Sequence, residues 1–258
     1  MIEEVRGLVV RTVDINDNDR LITIFSDKLG AVVAMAKGAR SYKSRKFSAT
    51  MQFCYATFIL DFRQDKCYVK EADLIESFFD IRKNIESLAL AGYVAEVISD
   101  VAVAEADTDL LRLSLNTLYA ISKGLYTLDK IKAAFEVRAM SVLGFMPNLL
   151  SCDLCGSREG EFFFDIMAGT VICYKCHKKN EAARPTERDL YERRIVCILS
   201  AGAKTAMEYC IYCPLEKLFS FKLEEEDARL FYKAAEEYLV NHLERGFKTL
   251  DFYKEVKL

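Results

Sequence analysis

The sequence predicts an α+β protein: an N-terminal five-stranded barrel, then a helical C-terminal body into which a four-cysteine element is inserted. Three observations carry this. Over residues 1–79, short runs rich in Val, Ile, Thr and aromatic residues alternate with turn chemistry. From about residue 80 the apolar residues recur every three or four positions instead. Two Cys-x2-Cys pairs, Cys152 with Cys155 and Cys173 with Cys176, flank a short aromatic stretch inside that helical region.

The strands are predicted from "VRGLVVRTVD", "RLITIFSD", "AVVAMAKG", "FCYATFILDF" and "KCYVKEADLI", with turns at Asp14 to Asp19 and at Lys28-Leu29-Gly30. Five strands in so short a length suit a small closed barrel, and the OB-fold is the commonest five-stranded solution. Between the third and fourth strands lies "KGARSYKSRKFS", which holds Lys37, Arg40, Lys43, Arg45 and Lys46 and no acidic residue. Residues 1–80 carry twelve basic and twelve acidic side chains, so this cluster stands out from a neutral background. Such a loop can follow a phosphodiester backbone by displacing counterions, with Tyr42 and Phe47 offering ring faces to bases. A merely solvated basic loop is the other reading. Residues 1–79 are therefore expected to form an OB-fold DNA-binding domain.

The helical domain is expected over residues 80–150 and 181–258. Leu90, Val94, Val97 and Val101 share one helical face, and Leu128, Ile131, Phe135, Ala139 and Val142 share another, opened by Thr127 or Asp129 as N-cap. Gly144 and Pro147 close the second run. Pro185-Thr186 starts further helices, and Phe231, Ala235, Leu239 and Leu243 step by four through the last long one.

Residues 151–180 form the inserted knuckle. Cys-x2-Cys, seventeen residues, then Cys-x2-Cys is the spacing of a tetrahedral zinc site: each tight turn presents two thiolates, and the intervening hairpin about Ala168-Gly169 folds one pair onto the other. The result is a zinc-ribbon-like element with one structural Zn2+ per chain on Cys152, Cys155, Cys173 and Cys176. Four thiolates leave no open coordination position for catalysis. Four metal-free thiols and a pair of redox dithiols are the alternatives, although redox chemistry favours a single pair at a helix N-terminus. His177, beside Cys176, could replace a ligand or simply sit at the surface among Lys175, Lys178 and Lys179. Cys210 and Cys213 invite a second metal site but have no partner pair at zinc-finger spacing, and Cys197 stands alone; cysteines at helical i,i+3 spacing read rather as small buried hydrophobes.

Charge and motifs exclude several classes. A net charge of -3 gives no global attraction to polyanions, so nucleic-acid binding has to come from a local patch. The acidic start "MIEEVRGLVV" is unlike a secretory signal, and the longest apolar stretch breaks at Glu96, short of the roughly 18 residues that span a bilayer. The nine cysteines are then expected to be thiols or metal ligands in a reducing cytoplasm. "GAKT" at Gly202 to Thr205 fails as a phosphate loop, because Ala203 and Ile198 stand where glycines are required. No catalytic constellation is present, so no enzyme is expected.

Three segments together carry a family resemblance: "LITIFSDKLGAVVAMAKGARSYKSR", "MQFCYATFILDF", and "FEVRAMSVLGFMPNLLSCDLCG" with Gly-Phe-x-Pro ahead of Cys-x-x-Cys-Gly. The chain resembles the RecO family of recombination mediators over nearly its whole length. That resemblance implies a bacterial, nucleoid-associated protein that binds single- and double-stranded DNA and anneals complementary strands. It also implies work with RecR and single-strand-binding protein to load the RecA recombinase. The family's DNA-contacting loop falls on Lys37, Arg40, Lys43, Arg45 and Lys46, and its zinc ligands on the four knuckle cysteines. The competing reading is a zinc-stabilised transcription or redox regulatory module acting through the knuckle itself.

Overall fold

Alternation of inward and outward side chains closes residues 2–76 into a barrel. The computed structural model describes residues 1–102, 106–182 and 195–257; the helix start read at Pro185-Thr186 lies outside the described residues. Five strands, β1 (Ile2–Asp14), β2 (Arg20–Ser26), β3 (Gly30–Ala36), β4 (Tyr55–Arg63) and β5 (Lys66–Glu76), run in the closed order β1-β2-β3-β5-β4. All neighbours are antiparallel except β3 and β5, which close the ring in parallel where Met35 meets Tyr68. This is the five-stranded OB-type closure that the first 79 residues predict. Val5, Val9, Ile22, Ile24, Ala56, Phe58 and Leu60 point inward at every second position and fill the centre. Gly7 pairs with Ser26 across β1 and β2, and a Cβ there would lie 2.3 Å from Ile24 Cγ2 and 3.0 Å from the Phe25 carbonyl oxygen.

The described residues cluster into two compact units, Met1–Leu125 with Phe247–Leu258, and Tyr126–Gly246. In the first, helix α1 (Lys46–Ala49) follows the basic loop, and helices α2 (Ile85–Val101), α3 (Thr108–Lys123) and, from the C-terminus, α8 (Lys248–Val256) join the barrel. Asn84 caps α2 by accepting from the Ser87 N–H at 2.9 Å, and Asp107 caps α3 from the Leu110 N–H at 2.8 Å. α8 packs on α2: Tyr93 and Phe247 meet edge to face at 5.7 Å, and Thr249 donates its N–H and hydroxyl to Glu96 Oε2.

The second unit is built on α4 (Leu128–Val142), α5 (Tyr174–Ala182), α6 (Ala201–Tyr212) and α7 (Glu225–His242). The N-cap of α4 falls at Thr127, without a side-chain capping bond. Gly144, at φ +90°, ends the run ahead of Pro147 as read. Strands β6 (Asn148–Cys152), β7 (Phe162–Asp165), β8 (Thr170–Cys173) and β9 (Val196–Leu199) make a sheet in the order β6-β8-β7-β9. The expected hairpin is β7 and β8, turning at Gly169 with φ +64°. The flanking strands were not anticipated. β9 lies inside the stretch read as helical, because "VCIL" is too short for its own periodicity to distinguish strand from helix; its pairing with β7 decides. "GAKT" lies in α6, where Gly202 packs against Asp227 and Lys204 pairs with Glu208 at 2.8 Å.

Candidate nucleic-acid interface and metal centre

The basic loop is held at both ends, and its middle turns on the Ser44 N–H donating to the Ser41 carbonyl at 2.8 Å. At its start, the Gly38 N–H donates to Asp19 Oδ1 at 2.8 Å and the Arg40 N–H to the Asn18 carbonyl at 3.0 Å. The Arg40 guanidinium donates to the Asn16 carbonyl and pairs with Asp14 at 3.3 Å. At its end, Ala49 enters the barrel core, the Thr50 hydroxyl donates to the Lys46 carbonyl at 2.8 Å, and Gln52 Nε2 donates to the Val10 carbonyl at 2.9 Å. The Gly38 N–H, and then Asn16, hold the Asp19 carboxyl below its usual range, so the β1–β2 turn offers a firm anionic anchor.

Among the six side chains singled out in the sequence, Lys37, Tyr42, Lys43 and Arg45 are exposed, Tyr42 by 80%. Arg40 and Lys46 are half-buried: Arg40 belongs to the anchor just described, and the Lys46 ammonium donates to the Val69 carbonyl at 3.4 Å. Burial pulls the Lys46 ammonium below its usual range, and Asp19 opposes that. Two groups escaped the sequence reading. Tyr68 on β5 carries the Lys37 ammonium 5.3 Å from its ring centre and the Arg63 guanidinium at 5.7 Å. Alternation along "KCYVK" places Tyr68 outward, opposite Val69 in the core, but only the parallel β3–β5 closure brings it to Lys37.

Cys152, Cys155, Cys173 and Cys176 converge in the second unit, their sulfurs all within 4.8 Å of one another and Cys155 Sγ 3.7 Å from Cys173 Sγ. Sulfurs about 2.3 Å from a tetrahedral zinc stand about 3.8 Å apart, so four soft donors at these separations fit such an ion. None of the cysteines is in a disulfide. Burial pushes the Cys152 thiol up, but backbone hydrogen bonds around Cys173, Leu154 and Cys155 outweigh it and bring the thiol down to about 6. Cys176, facing the Cys155 sulfur first and then the other two, is raised to about 12. Four sulfurs this close cannot all hold negative charge by themselves, and a divalent cation removes that conflict. His177 is outside the cluster; its ring stacks on Phe163 at 3.7 Å. Cys210 and Cys213 are buried, and Arg138 binds their carbonyls at 2.6 and 2.5 Å. Cys197 is buried in β9.

Barrel and cluster together define a class: proteins that join an OB-type barrel bearing a basic loop to a helical unit with a four-cysteine cluster able to hold a metal. Comparison with known proteins narrows it. Residues 1–78 match the family Recombination protein O N terminal, and residues 82–251 match Recombination protein O C terminal. The chain is 33% identical to a DNA repair protein RecO of Acetivibrio thermocellus, covering 96% of this chain and 94% of that protein. It is 26% identical to the protein of the same name from Caldicellulosiruptor saccharolyticus, covering 98% of each. The chain belongs to the RecO family of DNA repair and recombination proteins. Among the described residues no helix is long and apolar enough to cross a membrane.

Proposed function

We propose that the protein is a non-enzymatic mediator of DNA repair and homologous recombination that binds single- and double-stranded DNA through the loop at 37–46 and anneals complementary strands. The observation that carries this is the loop itself: three exposed cations and an exposed tyrosine on a base pinned to an OB-type barrel, in a chain of the RecO family. Lys37, Lys43 and Arg45 meet phosphates, and Tyr42 and Tyr68 present rings to bases. Arg40 holds the loop in place, and Lys46 joins the phosphate contacts from its partly buried position. Annealing then needs no nucleotide hydrolysis, because cations held along both strands offset their mutual repulsion.

The family implies that this activity works with RecR and single-strand-binding protein, and through them with RecA, in the bacterial cytoplasm at the nucleoid. One Zn2+ on Cys152, Cys155, Cys173 and Cys176 would bind the thiolates as a structural ion; the four residues close its sphere and tie α5 and β8 to the turn after β6.

The test replaces Lys37, Lys43 and Arg45 by Ala and measures single-strand affinity across a salt series. Affinity should fall, and the slope of log K against log salt should shrink by roughly 2, since each phosphate contact on a single strand contributes about 0.7. Unchanged affinity and slope would remove the loop from the DNA interface.

A further inference from the structure

We propose that the outer face of the four-stranded sheet in the second unit, where α5 adjoins it, is a separate single-stranded nucleic-acid site on which a base stacks over Tyr174, beside the Phe163–His177 pair, while Lys175, Lys178 and Lys179 meet phosphates. It deepens the DNA-binding reading above, on which it rests, by giving single-stranded DNA a second contact, on the second unit.

The sheet has two unlike faces. Phe162, Phe164, Val171, Cys173, Cys197 and Leu199 are buried on one. On the other, the register sets Ile172, Phe163 and Ile198 side by side across β8, β7 and β9, with Ile198 exposed and the other two half-exposed. Three rings gather at this row. His177 stacks on Phe163 with its centre 3.7 Å away and planes 23° apart, and Tyr174 lies 6.2 Å from Phe163 with planes 20° apart. The rings are thus nearly parallel, the orientation a stacked base adopts, and Tyr174 is 44% exposed.

Charge selects the occupant. From Tyr174 to Lys179 the exposed side chains include three lysines and no acid. Glu161, whose carbonyl accepts the Tyr174 N–H at 3.2 Å, borders this basic stretch. The Lys178 ammonium lies 4.7 Å from the centre of the Tyr174 ring. A base stacked on the exposed Tyr174 ring brings its phosphate to the side of the helix that carries the three lysines. Parallel rings with lysines suit unpaired bases; a duplex hides the base faces this site would read.

The chain contains no tryptophan, which supplies a direct probe. Tyr174→Trp in the full chain places one fluorophore on the face, and titration with oligothymidylate should quench it. Tyr174→Ala should weaken oligothymidylate binding about tenfold. Its salt slope should stay unchanged, because a ring and no charge is lost, whereas Tyr174→Phe should bind as the parent does. Unquenched emission at oligonucleotide concentrations that saturate the parent, or parental affinity in Tyr174→Ala, overturns the inference. If the Lys37, Lys43 and Arg45 variant still shows its reduced slope in that case, the loop reading survives alone; quenching with an unaffected loop variant strikes the loop reading and leaves this one. Loss of protein-partner binding by Tyr174→Ala with DNA affinity intact would make the face a protein dock and also overturn it.

Discussion

Gly7 and Arg40 show how single positions serve the barrel without touching a ligand. A methyl group at Gly7 would press on Ile24 and on the Phe25 carbonyl, backbone that cannot give way without opening the β1–β2 pair. Gly7→Ala should therefore destabilise the protein by about 1–3 kcal/mol, read as a lower denaturation midpoint at unchanged slope. Arg40 and Arg45 look alike in sequence and differ in the structure, the first bound to Asp14 and the Asn16 carbonyl, the second exposed. Arg45→Ala should weaken DNA binding and leave thermal unfolding in place. Arg40→Ala should lower the unfolding temperature and weaken binding only through a loosened loop. Equal effects of the two variants on both measurements would mean that the anchoring contacts of Arg40 do not matter.

Helix α4 carries a buried ion network. The Lys132 ammonium lies 2.8 Å from both Glu136 Oε1 and Glu236 Oε2, with Lys132 and Glu136 buried. Burial alone would lower this ammonium, but the two carboxylates outweigh it and raise its pKa above 10.5. The folded chain thus holds the proton more tightly than the unfolded one. This stabilisation is complete below pH 10.5 and is lost as pH rises through the raised folded value. Stability should accordingly be level from pH 7 to about 9 in this respect and fall above pH 10.5, with Lys132→Met flattening that alkaline limb. Lys132→Met should also cost about 3–5 kcal/mol by denaturant unfolding, because it leaves a carboxylate buried without its cation. Exchanging all three groups for apolar ones should recover most of that loss.

The periodic elements were legible in proportion to their length. The barrel strands alternate, and Leu90, Val94 and Val97 of α2, Ile131, Phe135 and Ala139 of α4, and Phe231, Ala235 and Leu239 of α7 are buried as their spacing requires, while Val101, Leu128, Val142 and Leu243 at the ends of those runs are only half-buried. β6 and β9, five and four residues long, are too short for that signal and exist as strands because β8 and β7 pair with them.

For the whole molecule a strong lever is the zinc proposed above on the four-cysteine cluster. A structural zinc contributes on the order of 10 kcal/mol to folding of such sites. A chelator able to extract it should lower the unfolding temperature of the full chain, and Cys152→Ser with Cys155→Ser should reproduce the shift without chelator. A metal-free protein with an unaltered melting curve would show four ordinary thiols instead.

By itself the sequence determined what is written in local order: strand alternation, helical faces, a basic run with no acid in it, and two cysteine pairs spaced so that a hairpin can bring them together. Tertiary structure decided which of those charges are free. Arg40 and Lys46 are drawn onto Asp14, Asn16 and Val69, residues 23 or more positions away, while Tyr68 reaches Lys37 only because β3 and β5 close the ring. The same holds for the stack of Phe163, Tyr174 and His177, assembled from a strand and a helix. Spacing records neighbours along the chain, but burial, pairing and ring stacking depend on distances that only packing sets.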